Sequence, residues 1–244
     1  MGIPIGDDEL RAREVPVVNT TLIVLNVVVF LLSIVTPWLL APGARSFFDV
    51  IARLGVTPAY IVEGERLYTL VTSMFLHGSL VHLLGNMLYL YIFGDNIEFV
   101  MGRFRYLVFY LTTGIIAALT HVAIVILWDP SSMYVPAVGA SGAISGVLGA
   151  YIMLFPHGTV RVITFWGWIP VFLSLPAIVY IGIWFIYQLV MGLTTTIAGV
   201  SVGVAFWAHI GGFITGFLLA PLLVNRRKLR IAQLKYYAYY EYYT

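Results

Sequence analysis

The chain has no cysteine and little charge, and these two absences exclude several classes of protein. Without cysteine there can be no disulfide, no thiol catalysis and no cysteine-ligated metal. Only 10% of the 244 residues are Asp, Glu, Lys or Arg, against about 25% in a typical soluble domain. With 61% hydrophobic residues, the composition is that of a polytopic membrane protein.

The start of the chain also lacks the features of a cleavable signal peptide. It is acidic at residues 7–9, and it has neither a basic start nor a small-residue cleavage pattern. From the distribution of charged and apolar residues we expect three parts. These are a cytoplasmic N-terminal segment over 1–16, a membrane domain over 17–224 and a cytoplasmic basic, tyrosine-rich tail over 225–244.

Six apolar segments are candidates for membrane spans, which predicts an all-α membrane protein. The predicted spans lie near 17–35, 79–94, 107–128, 141–155, 169–191 and 202–224. A charged turn is expected over 95–105, and no Asp or Glu falls within a predicted span. The stretch 46–54 has amphipathic helical spacing and is either a short interfacial helix or an ordinary surface loop.

Lys and Arg predict the orientation in the membrane. Six spans place both termini on one side. Ten basic residues lie at the termini and in the 2–3 and 4–5 turns, and three lie in the opposite loops, which accounts for all 13. Because basic residues favour the cytoplasmic side, we predict a plasma membrane protein with both termini in the cytoplasm.

The most informative stretch is Gly139-Ala140-Ser141-Gly142, at the start of the short fourth segment. Small neighbours leave room around the Ser141 hydroxyl, and the free N–H groups of the following helix favour a developing negative charge. Taken alone, the pattern is more typical of a close-packed helix face than of a catalytic serine. A 15-residue segment spans only about 22 Å, so Ser141 should lie about 8 Å below the outer membrane surface.

Other polar residues fall at a similar depth. The same arithmetic places His209 about 10 Å and His82 about 12 Å below the outer surface. His82 and Asn86 share one helix face, since they are four residues apart. For each of these residues alone, the alternative is a structural hydrogen bond between neighbouring helices.

Glycines predict that the fourth and sixth segments pack closely in parallel. Gly142 lies on the fourth segment, while Gly212 and Gly216 share a face with His209 on the sixth. This packing would bring the imidazole to Ser141. With no acidic residue in the predicted spans, the sequence favours a serine–histidine pair over a triad with aspartate.

Together these motifs resemble the rhomboid family of intramembrane serine proteases. They extend over residues 55–220 and are His77-Gly78-x3-His82-x3-Asn86-Met87, Glu98-x3-Gly102, Gly139-x-Ser141-Gly142 and Ala208-His209-x2-Gly212-x3-Gly216. The resemblance implies a six-helix bundle whose short fourth helix begins at the active site. It also implies a serine endopeptidase that forms a covalent acyl-enzyme, with Ser141 as nucleophile and His209 as base.

The resemblance implies supporting roles for other residues. His82 and Asn86 would stabilise the oxyanion, and His77 would shape the site and its hydration. Glu98 would be a structural hydrogen-bonding residue near the cytoplasmic end. Ser145 stands where some members carry an aromatic residue, so its hydroxyl either orients the catalytic histidine or lines the helix contact.

The implied partners are transmembrane protein substrates and the lipid bilayer, with the active site opening to the extracytoplasmic side. Substrate access is expected from the side, past Trp184 and Phe185 and beneath a loop over 192–201; the alternative is that these two aromatic side chains simply face lipid. We expect no cofactor, no metal and no nucleic acid partner.

Two other functions fit parts of the pattern. A non-catalytic rhomboid-like protein would bind client transmembrane helices, but such proteins usually lack the serine or the histidine. A small transporter or channel would use buried histidines, but it would be expected to have paired broken helices in both halves, whereas one short segment is seen.

Overall fold

Helices make up most of the computed structural model, which describes residues 2–7, 15–199 and 203–243. The helices are α1 (Val17–Val35), α2 (Pro37–Leu40), α3 (Phe47–Leu54), α4 (Pro58–Val62), α5 (Thr69–Thr72), α6 (Leu80–Met101), α7 (Arg103–Trp128), α8 (Ser141–Leu154), α9 (Ala177–Ala198), α10 (Phe206–Leu223) and α11 (Arg226–Tyr243). The strands are β1 (Ile3–Asp7), β2 (Thr159–Trp166) and β3 (Ile169–Pro176).

Within the described residues, four helices are long and apolar enough to cross a membrane: α1, α7, α9 and α10. A fifth span is formed if Thr69–Phe75 and α6, which meet at 94°, are counted together. The chain is therefore a multi-pass membrane protein. The 14 residues of α8 extend about 21 Å, which is shorter than the roughly 30 Å hydrocarbon layer.

Two of the predicted spans agree closely with the observed helices. The first has the predicted limits, and α8 ends one residue before its predicted limit. The predicted start of the sixth span at residue 202 lies outside the described residues, and α10 begins at Phe206. The predicted loop over 192–201 is wrong for its first part, because α9 continues to Ala198.

The predicted charged turn after the second span is wrong, because α6 continues to Met101. Glu98 consequently lies inside a helix, contrary to the expectation that spans contain no acid, and it is only 4% exposed. Its carboxylate accepts hydrogen bonds from the backbone N–H groups of Val18, at 3.1 Å, and Asn19, at 2.7 Å. These donors at the start of α1 have no partner within their own helix, so the buried charge is compensated.

The chain is mostly helical, as predicted, but it is not all-α, because it also forms a small antiparallel sheet in the order β1-β2-β3. The predicted fifth span begins at residue 169, but residues 169–176 form β3, which pairs with β2 along all eight positions. Gly167, with φ +61°, provides the tight connection between them. A short apolar run suits a strand as well as a helix, so hydropathy alone could not separate β3 from α9.

The sheet is attached to the helices at the end of α8 opposite Ser141. The Asp7 carboxylate at the end of β1 accepts hydrogen bonds from Asn96 Nδ2, at 2.6 Å, and the Tyr151 hydroxyl, at 2.7 Å. Arg161 of β2 donates to the Asp7 carbonyl at 2.7 Å. The N-terminal strand therefore ties α6 and α8 together.

The amphipathic stretch over 46–54 is a helix, α3, and not an irregular loop. Ser46 and Asp49 form a reciprocal capping box at its start. Hydrogen bonds from the Arg45 backbone N–H and from Ser46 hold the pKa of the Asp49 carboxyl below its ordinary value. The placement of α3 at the membrane interface stays a prediction.

Close contact between α8 and α10 forms the centre of the bundle. A Cβ atom added at Gly212 would overlap the Gly142 carbonyl oxygen, and one at Gly216 would overlap the Gly146 carbonyl oxygen. The two backbones are thus in direct contact, as the glycine spacing predicts. This contact sets the relative position of the first turn of α8 and the first turn of α10.

Candidate active site

Ser141 is the first residue of α8, and the turn before it contains Gly139. Gly139 has φ +133°, a backbone conformation that favours glycine, and its N–H donates to the Ser73 carbonyl at 2.9 Å. The first N–H groups of α8 have no carbonyl partner within the helix. Ser141 therefore lies beside backbone donors that can interact with a negatively charged group.

His209 reaches Ser141 from the first turn of α10. Its Nε2 lies 2.7 Å from Ser141 Oγ, although the two residues are 68 positions apart in the chain. The Trp184 ring of α9 lies beside the imidazole, with a centroid distance of 6.1 Å. The structure thus places this hydroxyl and imidazole within hydrogen-bonding distance.

Gln188, which the sequence analysis did not identify, contacts the other side of the imidazole. Its Oε1 lies 2.8 Å from His209 Nδ1. Gln188 is buried in the middle of the apolar α9. A single amide within an apolar segment could have pointed to Gln188 in the sequence, because such a group requires a polar partner inside the membrane.

Ser145, one turn after Ser141, does not orient the imidazole. Both ring nitrogens of His209 are engaged, with Ser141 and Gln188. The Ser145 hydroxyl instead donates to the Ser141 carbonyl at 2.6 Å. Of the two roles considered for Ser145, this bond favours the second, in which the hydroxyl lines the helix contact.

His82 and Asn86 of α6 line the same cavity as Ser141 and His209, and this cavity has a volume of about 610 Å³. The Gly78 N–H lies 3.4 Å from His82 Nδ1 and donates to it, which leaves Nε2 free to carry a proton towards the cavity. The Asn86 Nδ2 atom is buried without a hydrogen-bond partner. An unpaired buried donor is costly, so this amide is suited to a group that enters the cavity.

Gly139 also permits His82 to lie next to Ser141. A Cβ atom at this position would lie 2.9 Å from His82 Nε2 and 3.5 Å from Ser141 Oγ. The imidazole of His82 therefore occupies space that any side chain at residue 139 would need.

His77 is nearly fully buried, with 1% of its surface exposed, and lies behind His82. The two rings meet edge to face with centroids 5.1 Å apart. Both ring nitrogens of His77 lack a hydrogen-bond partner among the described residues. In the part of the chain that the structure describes, no group of three His, Asp or Glu residues is placed to hold a metal.

A serine hydroxyl bonded to an imidazole, beside free hydrogen-bond donors in a cavity of a membrane-embedded bundle, has the geometry that nucleophilic serine chemistry requires. The family model for the rhomboid domain matches residues 64–226, which is more than half of the chain. The chain belongs to the rhomboid family.

Individual relatives agree with this assignment. RHOMBOID-like protein 4 of Arabidopsis thaliana is 33% identical over 173 residues, covering 70% of this chain and 38% of that protein. Rhomboid protease AarA of Providencia stuartii is 32% identical over 181 residues, covering 66% of this chain and 58% of that protein. Putative rhomboid protease YdcA of Bacillus subtilis is 36% identical over 95 residues, covering 38% of this chain and 44% of that protein. The chain thus aligns with roughly two fifths to three fifths of each of these relatives.

Proposed function

We propose that the protein is an intramembrane serine endopeptidase that cleaves transmembrane segments of other membrane proteins. Ser141 is the nucleophile and His209 the general base. The observation that carries this proposal is the 2.7 Å contact between Ser141 Oγ and His209 Nε2 at a cavity inside the bundle. The pair also argues against a non-catalytic client-binding role, for which neither side chain would be needed.

The reaction proceeds through a covalent acyl-enzyme. Ser141 Oγ attacks the carbonyl carbon of the scissile peptide while its proton moves to His209 Nε2. The C–N bond then breaks, and His209 returns the proton to the leaving amine. Water then attacks the resulting ester while His209 takes its proton. The bond between the acyl carbon and Ser141 Oγ breaks, His209 passes the proton to Oγ, and the carboxyl product is released.

The oxyanion formed in each step is stabilised by hydrogen-bond donors on residues that line the cavity. We assign this role to the Asn86 amide, the His82 Nε2–H and the Ser141 backbone N–H, because all three residues line the cavity. The unpaired state of Asn86 Nδ2 supports this assignment, because the donor needs to break no existing bond before it binds the oxyanion. His77 supports the His82 ring and so shapes the site.

The proposed membrane domain covers 17–224 and contains six transmembrane segments, of which α8 is the short fourth. We place both termini and the basic tail over 225–244 in the cytoplasm, and the site on the extracytoplasmic side of the plasma membrane. The sheet, with Arg161 in β2, lies at the opposite end of α8 from Ser141, which agrees with the preference of basic residues for the cytoplasmic side.

The substrate is a transmembrane helix that unwinds locally, because its carbonyl groups are otherwise hydrogen-bonded within the helix. It reaches the cavity from the lipid past α9. Trp184 of this helix lines the cavity, and Phe185 stacks on Phe213 of α10 with a centroid distance of 4.2 Å. Displacing these aromatic contacts would open the cavity towards lipid.

A serine-directed phosphonate probe tests the proposal. The wild-type protein is expected to be labelled, because His209 activates Ser141, whereas Ser141→Ala is expected to remain unlabelled. Labelling is measured by mass spectrometry and mapped to the modified residue. Equal labelling of both proteins would contradict the assignment, and incubation with a single-span substrate separates a protease from a client-binding protein or a transporter.

Replacing Asn86 with alanine is expected to reduce kcat by about 10- to 1000-fold, because an oxyanion donor is lost. The bundle should retain its stability, since the Asn86 Nδ2 atom makes no hydrogen bond within the fold. The measurement is the cleavage rate of a detergent-solubilised substrate, together with the thermal unfolding midpoint. An unchanged rate would remove Asn86 from the oxyanion site.

A further inference from the structure

We propose that Gln188 is a positioning residue for His209: its amide oxygen holds the imidazole in the tautomer and orientation that let Nε2 accept the Ser141 proton. This inference rests on the proposed catalytic roles of Ser141 and His209. Gln188 Oε1 lies 2.8 Å from His209 Nδ1, on the side of the ring away from the 2.7 Å contact with Ser141 Oγ. Three side chains from three helices, α8, α10 and α9, thus form one hydrogen-bonded series.

Gln188 lies where an unpaired amide would be destabilising. It is 5% exposed, near the middle of α9, one of the helices capable of crossing the membrane. Burying an amide without a hydrogen bond is unfavourable, because the hydrogen bonds that it made to water are not replaced. Leucine or methionine would fill a similar volume without this cost. The amide at this position is therefore explained by the bond to His209.

The direction of this bond determines where the imidazole carries its proton. The amide oxygen can only accept, so the neutral ring of His209 is protonated on Nδ1. Nε2 then keeps its lone pair and can accept the proton of Ser141. In the opposite tautomer, the Nε2–H would point at the Ser141 hydroxyl, and the lone pair of Nδ1 would face the oxygen of Gln188. Orienting an imidazole in this way is the role of the third member in serine–histidine triads.

An amide orients the base without adding a charge. A carboxylate at residue 188 would also accept from Nδ1, but it would stabilise the protonated imidazole and require a buried negative charge inside the membrane. The sequence of α9 contains no Asp or Glu. Gln188 therefore supplies the orientation that an acid provides in a triad.

The orientation of His209 depends on the packing of α9. The Ser141 and His209 backbones are held together by the glycine contacts between α8 and α10. Gln188 comes from a separate helix, so a displacement of α9 would remove the acceptor while leaving α8 and α10 in contact. The other titratable groups near the imidazole are His82 on α6 and His121 on α7.

Two replacements separate orientation from volume. Gln188→Leu removes the acceptor, and we expect kcat to fall by about 10- to 100-fold, as for loss of the residue that orients a metal-binding histidine, with little change in KM. Gln188→Glu keeps an acceptor, so activity should be retained at high pH. Its acid limb should move to higher pH than in the wild type, because the carboxylate stabilises protonated His209. Thr21→Val is the control on α1, away from the site, where the Thr21 hydroxyl donates to the Val17 carbonyl within its own helix.

The tautomer is read directly from the ¹⁵N chemical shifts of histidine side chains, with His209 assigned by the loss of its signals in His209→Ala. We expect the Nδ1–H form in the wild type and in Gln188→Glu, and a mixture of tautomers in Gln188→Leu. A Gln188→Leu protein with a single tautomer and wild-type kcat would overturn the proposal. Failure of the proposed function would look different: the wild type would neither cleave nor react with the phosphonate, while the tautomer signals would still respond to Gln188.

Discussion

Cleavage of a transmembrane substrate is expected to fall by about 10⁴-fold or more when either Ser141 or His209 is replaced by alanine. The double replacement should lower the rate no further. The physical reason is that the hydroxyl is a weak nucleophile unless the imidazole removes its proton, so the two groups act as one unit. Initial cleavage rates for the wild type, both single variants and the double variant form a double-mutant cycle.

A control for this cycle lies two turns along α10. The Thr215 hydroxyl donates to the Gly211 carbonyl within the same helix and takes no part in the site. Thr215→Val should therefore cleave at the wild-type rate. All variants should unfold at similar temperatures. If the losses from the two single alanine replacements add in the double variant, the residues act independently and the proposed pair is wrong.

Gly216→Ala is expected to lower the free energy of unfolding by more than about 2 kcal/mol, because the added methyl group meets backbone that cannot move aside by changing a rotamer. The methyl group would overlap the Gly146 carbonyl oxygen and force α10 away from α8. Since these two helices carry the reacting residues, phosphonate labelling of Ser141 should fall together with stability. Thermal unfolding in detergent and labelling kinetics measure the two effects.

The matched control is Gly182→Ala, a glycine-to-alanine change within α9. A Cβ atom at Gly182 meets nothing within 4 Å. Alanine is favoured over glycine in helices by about 1 kcal/mol, so this variant should be as stable as the wild type or slightly more stable. Equal unfolding midpoints for Gly216→Ala and Gly182→Ala would show that the close contact of α8 with α10 does not stabilise the bundle.

The resemblance to rhomboid proteins was recognisable from the sequence because the motif residues occur at characteristic spacings along single helices. His82 and Asn86 are four residues apart, and His209 and Gly216 are seven apart, so each pair lies on one helix face. The limits of α1 were also predictable, because charged or turn-forming residues bound one long apolar run. The family match over residues 64–226 agrees with this interpretation.

The sheet and the end of α6 were not predictable in the same way. Residues 169–176 are apolar and run directly into α9, so their strand conformation depends on pairing with β2 and not on their own hydropathy. Asp95 and Glu98 made residues 95–105 resemble a turn. Glu98 is accommodated in a helix only because the start of α1 supplies the N–H groups that bind its carboxylate.

The sequence by itself determined that this is a multi-pass membrane protein, and it identified the serine, the histidines and the glycines from which the candidate site is built. Composition and helical spacing are local properties, so they can be read along the chain. Only the tertiary structure decided that the imidazole reaches the serine hydroxyl and that Gln188 of α9 is its second partner. A hydrogen bond between separate helices depends on how their backbones pack, and no local pattern around Gln188 specifies its partner.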